Sequence, residues 1–97
     1  MSRLAYLVCY DVCDPKRLRH VFRAMCGFGD HLQLSVFRCE LSEAEKVLMK
    51  SKLDLLLKHD EDKVLIVHLG PPTGRHASAM ETIGLPLSPR RLGAVVF

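Results

Sequence analysis

Two aspartates three residues apart stand in the run Tyr10-Asp11-Val12-Cys13-Asp14-Pro15. Carboxylate oxygens are hard ligands, and magnesium or manganese binds through one or two of them while keeping several waters. A metal held there activates water, or stabilises the leaving oxygen of a phosphodiester. Arg17 and Arg19 follow closely, which sets the carboxylates beside groups that bind phosphate. Each aspartate also has a plainer role. Asp14 precedes Pro15 and fits a helix N-cap better than a metal ligand. Asp11 can simply begin a turn. Of the two, Asp11 is the stronger candidate for catalysis and metal binding, with Tyr10 and Asp14 in support.

The neighbouring charges point the same way. Lys16, Arg17, Arg19, His20 and Arg23 make one side of the next segment basic. Such a face ordinarily serves solubility. Flanking a carboxylate, it is equally suited to a nucleic-acid backbone, with Arg17, Arg19, Arg23 and Arg38 as contacts. Arg75, Arg90 and Arg91 extend the basic surface. Aromatic residues are only 6% and tryptophan is absent, which disfavours a base-stacking groove and favours backbone contact.

Other chemistries lack support. His20, His31, His59, His68 and His76 show no HxxxH or HxH spacing, and none pairs with a serine or cysteine nucleophile. Cys9, Cys13, Cys26 and Cys39 show no CxxC spacing, so free thiols are the default reading and a zinc site the second. Residues 70–74, Gly-Pro-Pro-Thr-Gly, match no phosphate-cradling loop.

The elements that position Asp11 can be read next. Ninety-seven residues suit one domain with a modest core, which makes an oligomer plausible. Hydrophobic residues make up 48% and charged residues 26%, an ordinary globular balance. The formal charge of +3 is uneven. Residues 1–40 carry six Lys/Arg against four acids, residues 41–70 five against six, and residues 71–97 three against one. No apolar run is long enough to span a membrane. No secretory signal is visible, and the chain reads as cytoplasmic.

Residues 4–10 are almost continuously apolar and read as a central strand ending at Asp11. Residues 14–28 read as a helix, with Leu18, Val21, Phe22 and Met25 on its core stripe and Gly27 and Gly29 at its stop. Residues 31–39 alternate, with Leu32, Leu34 and Val36 on one side and Gln33, Ser35 and Phe37 on the other. Ser42 and Glu45 form a capping box opening a second helix over about residues 43–58. Ala44, Val47, Leu48, Ser51 and Leu55 make its expected core stripe. Met49, Leu53 and Leu56 lie on a different side, so either the core wraps the helix or a partner covers it. Residues 62–69 read as a third strand, 77–83 as a weak one, and 93–97 as a short β-prone run beyond the prolines at 86 and 89. The order predicts an α+β sandwich, an antiparallel sheet with two helices on one face. The ferredoxin-like arrangement is the common solution at this size. It needs two strands from residues 30–41, or one bent strand. The division is a domain over 1–83 and a C-terminal arm over 84–97, whose strand can reach another subunit's sheet edge as easily as its own.

The runs LAYLVCYDVCDPKRLRHVFRAM and GDHLQLSVFRCELSEAE resemble the CRISPR-associated protein two family, the partner of the integrase in spacer acquisition. Four features carry the resemblance: an apolar strand ending in Tyr-Asp, Asp-x-x-Asp leading into an Arg-rich helix, Gln-x-Ser-Val-Phe, and a short C-terminal strand. It covers the first 45 residues well and the rest loosely. His31 and Leu34 depart from the Arg and Tyr that relatives often carry. The resemblance implies a ferredoxin-like fold and a symmetric homodimer whose C-terminal strand, here residues 94–97, joins the partner's sheet. It implies Asp11 near its symmetry mate, the pair holding one Mg2+ or Mn2+. It further implies a spacer-acquisition subunit that binds duplex DNA and bridges the integrase, with metal-dependent endonuclease activity on DNA or single-stranded RNA. Tyr10, Arg17, Arg19, Ser35 and Phe37 match family positions. The virulence-associated protein D ribonucleases, stand-alone toxin-like enzymes of the same fold, are the alternative.

Overall fold

The computed structural model describes residues 2–73 and 80–85. The basic residues Arg75, Arg90 and Arg91, and the strand expected over 93–97, lie outside the described residues, as does all of the C-terminal arm beyond 85.

β1 (Leu4–Asp11) is followed by α1 (Pro15–Cys26), β2 (Asp30–Gln33), β3 (Val36–Leu41), α2 (Glu43–Leu56) and β4 (Lys63–Gly70). The sheet runs β2-β3-β1-β4, and every neighbouring pair is antiparallel. This is the expected α+β sandwich, with β1 paired on both edges. Residues 80–83, the end of the weak strand expected over 77–83, form no strand.

The break between β2 and β3 falls at Leu34–Ser35, a two-residue turn. The single alternation expected across 31–39 is therefore interrupted. Phe37, Cys39 and Leu41 point to the core, and Val36, Arg38 and Glu40 to the other face. The core lies between the sheet and both helices. Tyr6, Val8 and Tyr10 of β1 meet Val21, Phe22 and Met25 of α1, Phe37, Cys39 and Leu41 of β3, and Met49 and Leu53 of α2.

Helix ends form where local chemistry satisfies their orphan backbone groups. Asp14 caps α1 by accepting from the Arg17 backbone N–H, and Pro15 occupies the first turn. In α2 the Ser42 side chain accepts from the Glu45 backbone N–H, and Glu45 accepts from the Ser42 N–H. The second helix turns a different side to the core from the one expected. Met49 and Leu53 are buried, while Val47 is 60% and Leu55 86% exposed. Two apolar stripes share this helix, and the sheet takes the one whose Met and Leu meet Phe37 and Cys39.

Among the described residues, the far face of the sheet carries no helix. β1 and β4 put Leu7, Cys9, Leu65 and Val67 there as cross-strand neighbours, and Leu65 is 61% exposed. Met80, Glu81 and Thr82 line a cleft at one side of it with Leu7, Leu32 and Val36. β1 is apolar on this face as well as on the core face. A strand solvated on one face would alternate with polar residues. Gly70 closes β4 at φ +102°, a left-handed conformation that glycine adopts without strain, beside a register shift at Ala5/Tyr6.

Candidate functional site

Asp11 ends β1 at the rim of the uncovered face, on the same side as Leu7 and Cys9, because side chains alternate along a strand. It is exposed, and its carboxylate accepts no hydrogen bond from any described residue. Its register partner across the ladder is Lys63, the first residue of β4.

Asp14 is committed differently. It accepts from Arg17 N at 2.9 Å, and that backbone bond, aided by the charges of Arg17 and Lys16, holds its carboxyl below the usual range. The two aspartates of the motif thus divide between a free carboxylate and a helix cap.

Arg17 turns toward the α2–β4 turn. Its Nε donates to Asp62 Oδ2 at 2.8 Å, and its Nη2 donates to Asp62 Oδ1 at 3.1 Å and Glu61 Oε1 at 3.0 Å. Asp62 also accepts from the backbone N–H of Cys13 at 3.0 Å and of Lys58 at 2.9 Å. Its side chain has no exposed surface, so a buried charge here is fully hydrogen-bonded, as burial requires. The Arg17 guanidinium, and then the two backbone N–H groups, hold the Asp62 carboxyl far below the usual carboxylate range. Asp62 is the only buried charged residue among those described. The sequence offered no signal for it, since it is the last acid of an ordinary acidic turn, Asp60-Glu61-Asp62.

Arg19 and Arg23 are exposed on α1 together with Lys16 and His20. Arg38 lies on the other side of the sheet and donates to Glu40 Oε2 at 2.7 Å and to Pro72 O at 3.1 Å. The four arginines read as one nucleic-acid surface are therefore split: two outward on α1, one turned to Asp62, one on the uncovered face.

Tyr10 and Phe37 are core residues, with ring centroids 6.2 Å apart in a stacked arrangement. The Tyr10 hydroxyl is buried without a hydrogen-bond partner among the described residues. Burial, with Cys26 nearby, pushes that phenol up to about 12. Ser35 sits in the β2–β3 turn and supports Tyr10 through the backbone, its carbonyl accepting from Tyr10 N at 3.1 Å. All four cysteines are unpaired.

Among the described residues no group of three or more His, Cys, Asp or Glu stands together as a metal cage. A single free carboxylate is compatible with a magnesium ion that keeps most of its waters. No described helix is long and apolar enough to cross a membrane.

A family model described as CRISPR associated protein Cas2 matches residues 4–75. The chain is 48% identical over 67 residues to "CRISPR-associated endoribonuclease Cas2 1" of Rhodospirillum rubrum, covering 69% of this chain and 66% of that protein. It is 44% identical over 66 residues to "CRISPR-associated endoribonuclease Cas2" of Geobacter sulfurreducens, covering 68% of this chain and 70% of that one. The matched stretch thus spans about two thirds of these relatives. Among solved structures, Streptococcus pyogenes Cas2 superposes with a TM-score of 0.73 at 31% identity, covering 84% of this chain and all of that one.

Proposed function

The chain belongs to the CRISPR-associated Cas2 family, and from that premise we propose that it is a homodimeric spacer-acquisition subunit that binds the duplex DNA backbone and bridges the integrase. A metal-dependent phosphodiesterase activity at Asp11 is the second part of the reading. The observation that carries both parts is a free, exposed carboxylate at the rim of an apolar sheet face that no described helix covers.

Apolar patches of this kind mark interaction sites. A two-fold pairing through that face sets the same patch against itself, and an axis passing beside the end of β1 sets Asp11 toward Asp11 of the second copy. Mg2+ or Mn2+ between them would supply Lewis-acid stabilisation of a phosphodiester oxygen. Asp11 binds and orients that ion, and Arg19 and Arg23 on α1 hold phosphates by charge. The names of the relatives, endoribonucleases, favour cleavage of RNA as one substrate class.

Asp11→Asn tests the hydrolytic part. Magnesium- or manganese-dependent cleavage of RNA and duplex DNA is expected to fall at least about 100-fold with the oligomeric state unchanged, since the variant loses the charged ligand. Equal cleavage by wild type and variant would remove Asp11 from the reaction. Co-elution of the purified chain with the integrase, with and without duplex DNA, tests the bridging part. Separation under both conditions removes it.

A further inference from the structure

We propose that the cation serving a phosphate beside Asp11 is Lys63, and not Arg17. The inference rests on the reading of Asp11 as a nucleic-acid site and deepens it. Sequence order favours Arg17, six residues after Asp11. The fold sends that side chain elsewhere. Two of its nitrogens donate to Asp62 and Glu61, and Asp62 has no exposed side-chain surface to share with a ligand.

Lys63 has the opposite character. It is far from Asp11 in sequence and directly opposite it in the β1–β4 ladder. Cross-strand partners share a face, so both side chains leave the sheet on the uncovered side, with β-carbons about 5 Å apart. Lys63 is exposed and forms no ion pair with any described residue. A carboxylate and an ammonium so placed can receive the two parts of a metal–phosphate ligand, the metal at one and a phosphate oxygen at the other.

The pair is also held in place. Asp62, which precedes Lys63, accepts from the N–H of Cys13, two residues beyond Asp11. One buried carboxylate therefore ties together the strand ends that carry both groups. Arg17 neutralises that tie, and its Nε and Nη2 are thereby committed to Asp62 and Glu61.

The test is the salt dependence of binding to labelled duplex DNA, measured by fluorescence anisotropy in chelator, where cleavage plays no part. Lys63→Met should reduce the slope of log K against log salt by about 0.9 for each phosphate that the chain no longer neutralises. The same reduction should persist in the Asp11→Asn background, which separates phosphate binding from simple neutralisation of Asp11. Lys50→Met removes an equal charge from α2 and should leave the slope unchanged. Arg17→Met with Asp62→Asn preserves the net charge without leaving a buried carboxylate unpaired, and should also leave it unchanged. An unchanged slope in Lys63→Met overturns the proposal, whatever the stability of the double variant. A reduced slope in a folded Arg17/Asp62 variant overturns its second half. A wild-type chain without salt-dependent binding overturns the underlying reading, a result distinct from either.

Discussion

At the scale of single residues, chemistry follows from which groups the fold leaves free. Asp11 and Asp14 are alike in sequence and unlike in the folded chain, because only Asp14 meets the orphan N–H groups of α1. Asp62 shows the converse, an acid made structural by four donated hydrogen bonds. Its folded pKa lies below the unfolded value of about 3.9, so its contribution to stability is complete well above that pH. The contribution is lost as pH falls through the folded value. Asp14 and Glu45, also lowered by backbone hydrogen bonds, act with the same sign. Thermal melts at decreasing pH should therefore show stability falling from about pH 4 downward. Asp62→Asn should be less stable at neutral pH and show a flatter acid limb. A variant whose acid limb matches wild type would mean that Asp62 titrates normally in the folded chain.

Elements follow local rules where those rules are unopposed. The Asp14-Pro15 start of α1 and the Ser42/Glu45 box of α2 were legible in sequence because each cap is made within four residues. β1 was legible because seven apolar residues run together. The β2–β3 turn was not, since Leu34 carries no turn signal and Ser35 only a weak one, without the glycine, asparagine or proline of most tight turns. The buried side of α2 was misread because periodicity identifies stripes but not which one meets the sheet. The Arg17–Asp62 pair, 45 residues apart, leaves no local trace at all. Gly29 illustrates a demand visible only in three dimensions. A β-carbon there would lie 2.5 Å from Cys39 Sγ and 2.9 Å from Cys39 Cα, and would overlap the Arg38 carbonyl as well. The β3 backbone cannot retreat without disturbing the ladder. Gly29→Ala should destabilise the fold by about 1–3 kcal/mol, read from denaturant unfolding. A neutral result would mean that the α1–β2 turn rearranges freely.

For the molecule as a whole, asymmetry between the two sheet faces is the governing fact. One face is closed by α1 and α2, and the other presents Leu7, Cys9, Leu65 and Val67 with Asp11 and Lys63 at its rim. A charged residue in that patch should prevent its burial against a second copy. Leu65→Glu is expected to shift the chain from dimer to monomer in light scattering while leaving the helix content intact. A dimer that survives would place the interface elsewhere. The strand order has one more effect, on the order of events during synthesis. β1 leaves the ribosome before the other described strands yet lies inside the sheet, and one of its neighbours, β4, is the last described strand to appear. The turn after Asp11 is tethered by Asp62. At ~5–20 residues per second, the nascent chain therefore carries the Asp11 carboxylate for seconds before the group that tethers the turn after it exists. The motif around Asp11 is translated before the other described elements and fixed after most of them.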